Sequence, residues 1–386
     1  MERQRQGHFL KSSLVAGEEY KTYIPKPLPP KPPIKLAEIA ERLKVTTSAI
    51  DALNDVVTVS ESDSSVLNYM YLRKEAVLSS QIEGTQSTLD DLLRYESEQA
   101  AGITVVDVEE VSAYVAALNH GLKRIQGGFP LSLRLIREIH KILLENSRGR
   151  HKTPGKFRTS QNWIGGSRPG NAHFVPPPPD RVLDLMSDLE KFLYRDDIPP
   201  LIIAALVHHQ FETIHPFLDG NGRIGRLLVS LFLCQRDFLK SPFLYLSLFF
   251  KKNRQLYYEK LDIVRKDGNW EEWLSFFLEG VEETANDART TLVIIKKLFE
   301  VDDAKVSMLG RPRITASAVF NQFKIKPLLT ITEIVRRTGL AKNTAISSVK
   351  HLIGLGIVKN ISEKKWGQIY SYSNYAALLI RDTEAL

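Results

Sequence analysis

The sequence predicts a mainly α-helical protein in two parts. One part is a helical bundle with a single β-hairpin, and the other is a small C-terminal winged helix-turn-helix. Three observations predict this. Apolar residues recur at helical spacing through most of residues 36–299. That period breaks once, over residues 155–175. The basic excess is confined to the end of the chain: residues 301–386 hold 13 Lys+Arg and 6 Asp+Glu, so the first 300 residues balance and the net +7 belongs to the last segment.

Taken in order, residues 1–35 are polar, then proline-rich from Ile24 to Pro33. Such a run favours an extended polyproline conformation. It reads as an arm laid over the protein surface, the alternative being a docking peptide for a proline-binding domain. An N-terminal helical region follows over 36–127. Leu36, Ile39, Ala40 and Leu43 share a face, and Val66, Tyr69, Met70, Leu72, Ala76 and Val77 continue in a longer helix. A third helix runs from about Val108 to Ile125, where Gly127-Gly128 ends it.

A central core spans 128–299. Its first helix, 131–146, turns Leu131, Leu133, Ile136, Ile139 and Leu143 inward. Residues 157–164 then read as a strand, 165–171 as a turn and 173–175 as a returning strand, stopped by Pro176–Pro179. The edge of such a hairpin is open to a partner's extended segment. Helices resume over 180–194, 200–212, 223–238, 253–267 and 270–299. Residues 300–311 read as a charged linker, and 312–386 as a separate unit.

Composition sets the class. Of 386 residues, 43% are hydrophobic and 25% charged, which suits a soluble globular protein with two or three cores. The N-terminus has no apolar signal core, and no stretch approaches the roughly 20 apolar residues of a membrane span. Cys234 is the one cysteine, so an internal disulfide is excluded and a reducing cytoplasm is expected. Lying in an apolar helix with no activating charge beside it, Cys234 reads as a core residue.

The chemistry concentrates in His215-Pro216-Phe217-Leu218-Asp219-Gly220-Asn221-Gly222-Arg223-Ile224-Gly225-Arg226. A glycine loop feeding a helix N-terminus aims free N–H groups and the positive end of the helix dipole at one point, which suits a phosphate. Arg223 and Arg226, three apart, both reach a ligand held there. Gly220-x-Gly222-x-x-Gly225 also matches the dinucleotide fingerprint. Its context is wrong, because a helix rather than a strand precedes it. No Gly-Lys-Ser/Thr follows, so a Walker loop is excluded. His208, His209, Glu212 and His215 have spacings that suit a metal, yet no zincin pattern is present. His208 and His209 read as packed helix residues. His215, held beside the cradle, is placed for proton transfer near neutral pH.

The run from His215 to Arg226 resembles the signature of Fic proteins, H-P-F-x-D/E-G-N-G-R-x-x-R, with every fixed position filled. The hairpin segment and the C-terminal unit also look like the longer bacterial members. The resemblance implies a Fic-type helical bundle and transfer of AMP from ATP to a Ser, Thr or Tyr hydroxyl of a target protein. It implies His215 as general base and Asp219 as the ligand of Mg²⁺. Gly220, Asn221 and Gly222 would cradle phosphates through backbone N–H groups and the Asn221 amide. Arg223 would take the β-phosphate and Arg226 the γ-phosphate, with Ile224 and Gly225 in the same ATP-binding stretch and Phe217 setting the loop from the core. The Gly-Asn-Gly triplet points to AMP rather than phosphate transfer. Asn253 and Tyr257 are candidates for the adenine side.

A second signal lies at Ser79-Ser80-Gln81-Ile82-Glu83-Gly84. Glu83 falls in the last turn of a helix, where the dipole disfavours an acid by ~0.3–1 kcal/mol. Such a carboxylate suggests a partner elsewhere. The segment resembles the Fic inhibitory motif S/T-x-x-x-E-G/N through Ser79, Glu83 and Gly84. That resemblance implies Glu83 pairs with Arg226 and keeps the γ-phosphate from seating; Glu83 then also borders the ATP site.

In the last unit, residues 329–339 and 342–355 read as helix-turn-helix, with Asn343, Thr344, Ser347 and Ser348 on the outer face of the second helix. Residues 356–359 and 368–372 read as wing strands around Lys364-Lys365. The local charge points to DNA; dimerisation of the chain or docking of a target are the other uses of this fold. At the level of the whole chain three readings stand: a protein adenylyltransferase, a DNA-binding regulator whose loop senses nucleotide, and an enzyme that removes AMP.

Overall fold

The computed structural model describes residues 5–15, 18–58, 61–97, 105–145, 147–362 and 367–385. The expected positions Val66, in its side chain, and Lys364-Lys365 lie outside what is described.

The chain opens with a hairpin that the sequence reading missed. Strand β1 (Gly7–Val15) pairs antiparallel with β2 (Glu18–Pro25). Tyr20, Thr22, Tyr23 and Ile24 of β2 are buried, so this half of the expected arm is a strand packed on the bundle. Only the proline run behind it is irregular.

Helices α1 (Leu36–Thr58), α2 (Glu61–Ile82), α3 (Leu89–Glu96), α4 (Val105–Gln126) and α5 (Leu133–Glu145) follow. The buried face of α1 is Ile39, Thr46, Ala49, Ile50, Leu53 and Val57. Leu36 and Ala40, expected on it, are exposed, while Ile39 in the same turn is the residue that faces inward. Next come α6 (Val182–Leu193), α7 (Pro200–Ile214), α8 (Asn221–Gln235), α9 (Ser247–Lys252), α10 (Arg254–Asp267) and α11 (Trp270–Ser307). The pair α7–α8 forms the centre. Every residue of α7 from Leu201 to Ile214 is buried, including the polar His208, His209, Gln210, Glu212 and Thr213 of its last turns. Around it, α2 packs on α4 and α9, α4 on α5, and α1 lies along α11. Cys234 is half-buried at the edge of this core, and burial pushes its thiol up to about 12, so it is inert at neutral pH.

The expected central hairpin shrinks to one bridge, Ile164 with Phe174. Residues 157–163 do not pair across it, because they are turned toward the motif loop: the Arg158 N–H donates to the Pro216 carbonyl at 2.9 Å. The hairpin edge, expected to be open to a partner's segment, is met by the chain itself at one point: the Val175 carbonyl accepts the Tyr23 N–H of β2 at 2.9 Å. Arg168 in the same turn pairs with Glu18 at 3.1 Å.

The expected linker over 300–311 is helix as far as Ser307. Asp302 and Val306 are buried there, and Asp302 accepts from the Tyr372 hydroxyl at 2.7 Å, so the final unit is packed onto α11. That unit comprises α12 (Arg313–Ile325), β3 (Leu328–Thr330), α13 (Ile331–Thr338), α14 (Lys342–Gly354), β4 (Lys359–Asn360), β5 (Ile369–Ser371) and α15 (Ser373–Ile380), with strand order β3-β5-β4. Gly339, at φ 69, makes the turn between α13 and α14. Asn343 and Ser347 are exposed on α14 as expected, but Ser348 is buried, because it shares its face with Ala345 and Val349. The unit also grips α2: the Gln81 amide donates to the Thr383 carbonyl, and the Ser97 hydroxyl beyond α3 donates to the Leu328 carbonyl.

Candidate active site

The site is the loop between α7 and α8, and its shape is set by buried polar contacts. α7 ends at His215 in the left-handed region, φ 50 and ψ 61, which is uncommon for a residue with a side chain. The buried guanidinium of Arg158 holds that turn. Its Nε donates to the His215 carbonyl at 2.9 Å, and Nη2 to the carbonyls of Pro177 at 2.5 Å and Ile214 at 3.3 Å. With no carboxylate beside it, burial pushes Arg158 down to about 10, still charged at pH 7. The Asn162 amide donates to the Phe217 carbonyl at 2.8 Å. Phe217 is fully buried and stacks on His140, ring centres 3.7 Å apart.

His140 ties the loop from below. Its Nδ1 accepts the Gly155 N–H at 2.8 Å and its Nε2 donates to the Asp219 carbonyl at 3.1 Å. Burial pushes it down to about 4, so it is a neutral clamp at pH 7. A histidine within the apolar stripe of α5 was the signal for it in the sequence. Arg158 and Asn162, expected as strand residues, gave no such sign.

Gly220 caps α8 at φ 75, leaving the N–H groups of its first turn aimed outward. The Asn221 amide, expected at the phosphates, is used on the loop itself: it accepts the Phe217 N–H and donates to the Phe217 carbonyl, both at 2.8 Å. Ile224 is fully buried, with its N–H bonded to the Gly220 carbonyl. Gly225 packs on Glu212, so a methyl group there would lie 2.4 Å from Oε1. Neither Ile224 nor Gly225 offers a free group to a nucleotide. Arg223 is buried with Nε and Nη1 unpartnered among the described residues, and its Nη2 lies 3.6 Å from Asp219 Oδ1. A buried guanidinium with open N–H groups calls for an anion.

That cradle already faces one. Glu83, just past the end of α2, has Oε1 2.7 Å from Arg226 Nη2. The same oxygen lies 2.1 Å from where a Cβ on Gly222 would sit, so the carboxylate rests against the glycine backbone. Arg226 also donates from Nε to the Ser79 hydroxyl and from Nη2 to the Ser79 carbonyl, both at 2.9 Å. The Arg226 side chain is 2% exposed and that of Glu83 is 40%. Burial acts to raise the Glu83 carboxyl. The charge and hydrogen bond of Arg226, with Arg223 and His215 behind it, outweigh that and hold it below the usual carboxylate range. Gly84 turns the chain away at φ 98, a conformation that suits glycine.

Burial, with the charge of Arg158 second, pushes His215 down to about 4, so its imidazole is neutral near pH 7. His208 and His209 are packed as expected, with Nε2 of His208 on the Tyr257 hydroxyl and Nε2 of His209 on the Leu261 carbonyl, each at 2.9 Å. Among the described residues no group of three or more His, Cys, Asp or Glu could hold a metal. Tyr257 is buried against Phe250 at a ring distance of 4.4 Å, and the Asn253 amide donates to the Phe249 carbonyl. The next residue, Tyr258, is 40% exposed and feels the charges of Glu83 and Arg226.

The fold and loop define a helical scaffold built around an anion site with a neutral histidine at its rim. The Fic/DOC family profile matches residues 130–233, and the Fic/DOC family N-terminal profile matches residues 40–123. The chain carries a Fic domain preceded by that family's N-terminal region. It is 31% identical over 160 residues to the protein adenylyltransferase Fic of Drosophila willistoni, covering 40% of this chain and 28% of that protein. It is 26% identical over 264 residues to the protein of the same name from Drosophila persimilis, covering 65% of this chain and 48% of that one. The chain thus spans half or less of these relatives. In fold it is similar to a Fic family protein from Desulfovibrio desulfuricans G20, with TM-score 0.51, 18% identity and coverage of 85% of this chain and 95% of that one. Among the described residues no helix is long and apolar enough to cross a membrane.

Proposed function

We propose that this chain is a protein adenylyltransferase that transfers AMP from ATP to a hydroxyl of a target protein or of itself, and that Glu83 is its inhibitor. The observation that carries the proposal is the carboxylate of Glu83 lying on the Gly222 backbone and paired with Arg226. An anion of the chain's own rests where a phosphate would bind.

In this reading the free N–H groups at the start of α8 and the guanidinium of Arg223 hold the β-phosphate, and Arg226 takes the γ-phosphate once Glu83 leaves. His215 accepts the hydroxyl proton as the oxygen attacks the α-phosphorus, and pyrophosphate departs with the electron pair. Asp219 would hold Mg²⁺. It fits: its carboxylate is 42% exposed at the cradle's edge, and Mg²⁺ commonly takes one or two carboxylates with the substrate's own phosphates. Held there, it would supply charge neutralisation on the phosphates. Tyr258, rather than the buried Tyr257, lines the adenine side.

The test is incubation with α-labelled ATP, Mg²⁺ and cell extract. Label enters protein, and His215→Ala abolishes it. No transfer, even with Glu83→Gly, would leave the loop as a nucleotide sensor.

The C-terminal unit supports a second reading, a winged helix that binds duplex DNA. Lys342, Asn343, Ser347 and Lys350 are exposed on α14. Fluorescence anisotropy with duplex DNA would show affinity that falls steeply with salt. Binding unaffected by Lys342→Glu would exclude this helix as the contact.

A further inference from the structure

The loop leaves one buried acid unexplained. Glu212 sits in the last turn of α7, three residues before His215, and is 7% exposed. Its Oε1 has no hydrogen-bond donor among the described residues, and neither has Nδ1 of His215 a partner. Glu212 Oε2 lies 3.9 Å from that Nδ1. The carboxylate thus has one oxygen without a donor while its other oxygen faces a ring nitrogen without a partner, which is uncommon for buried polar atoms. Gly225 makes the room, since any side chain there would strike Oε1.

We infer that Glu212 is a positioning residue for His215: its carboxylate accepts a hydrogen bond from Nδ1–H, fixing the tautomer that leaves Nε2 free to take the target's proton. The inference rests on the proposed adenylyl transfer. Separations of this size in unliganded sites tighten when substrate binds. In the step itself the target O–H proton moves to Nε2 and the oxygen bonds to the α-phosphorus. The bond from that phosphorus to the bridging oxygen breaks, and pyrophosphate leaves with the electron pair. His215 is then an imidazolium between its new proton and the Glu212 carboxylate, which stays ionised, as in hydrolase triads.

The charges around the pair are Arg226 on α8, Arg265 on α10, Glu83 beyond α2, Arg158 behind His215, and the hydroxyl of Tyr257. Burial pushes Glu212 up to about 7, while Arg226 pulls the other way and Glu83 adds to the rise. The orienting carboxylate therefore appears as pH rises through neutrality. Without Glu83 one raising charge is gone, so the same limb lies somewhat to the acid side.

The experiment uses the full chain in a Glu83→Gly background. Its kcat for AMP transfer rises through a limb near neutral pH. Adding Glu212→Gln lowers kcat by about 10–10²-fold, leaves KM for ATP within about twofold and removes the limb, and Glu212→Asp restores part of both. A limb that persists in Glu212→Gln, or an unchanged kcat, would overturn the inference. Nitrogen-15 NMR of His215 without nucleotide supplies a reading independent of activity. The parent shows the Nδ1–H tautomer and Glu212→Gln shows a mixture; the same spectrum in both overturns the inference. If the background variant transfers no AMP, the proposed function fails and the NMR result still decides the role of Glu212.

Discussion

The loop after His215 and the turn carrying Glu83 meet at Arg226, yet they are built differently. The loop is held by buried and half-buried groups: Arg158 on the carbonyls of His215, Ile214 and Pro177, Asn162 and Asn221 on Phe217, and His140 beneath Asp219. The turn presents one carboxylate, 40% exposed, through one ion pair. A cradle for phosphate must be preorganised, because its N–H groups act only if they need not rearrange. A plug must be removable, and a half-exposed ion pair is worth little in water. On the proposed function, the difference separates a fixed machine from its releasable stop.

The largest effect is expected from breaking the fixed side. Arg158→Met leaves buried carbonyls without donors, so stability falls by roughly 1–3 kcal/mol. AMP transfer in the Glu83→Gly background falls with it. Thermal unfolding and labelling measure the two; an unchanged melting temperature would mean the turn holds itself. Asn221→Ala removes both contacts to Phe217 and should lower stability by about 1–2 kcal/mol, read in the same way.

The turn should behave oppositely. Glu83→Gly is expected to change stability by less than about 1 kcal/mol, because Arg226 keeps Ser79 and solvent already screens the pair. A large fall in melting temperature would make Glu83 structural. The smallest effect is that of pH. The folded-state carboxyl of Glu83 is held below its ordinary value, so its contribution is present above that value and lost only as pH falls through the lower one. Between pH 6 and 8 the ion pair itself therefore stays intact, and wild-type labelling normalised to Glu83→Gly should vary only by the acid-side shift of the Glu212 limb.

Much of this was legible in the sequence. The helices of the core follow from apolar period, and the cradle from glycines ahead of a helix. The pairing of Glu83 with Arg226 came from a resemblance, and the geometry agrees with it. What escaped has physical reasons. Arg158 and His140 act on backbone atoms far away in the chain, and no local pattern marks a donor whose acceptor is remote. Tyr257 and Tyr258 differ by one helical step, enough to exchange core for surface. Strands β1 and β2 were hidden because β1 leaves even Phe9 and Leu10 exposed, and the burial falls on its partner β2. The expected linker was charged, yet α11 runs through it, because Asp302 meets Tyr372 on the unit beyond.

The central claim is that Glu83 occupies the site that ATP must use. The most direct measurement is self-labelling with α-labelled ATP and Mg²⁺ in the parent chain, in Glu83→Gly and in Glu83→Gly with His215→Ala, side by side. The account predicts at least about a tenfold rise in the first variant, equivalent to ~1.4 kcal/mol, and none in the second. Equal labelling of parent and Glu83→Gly would contradict it.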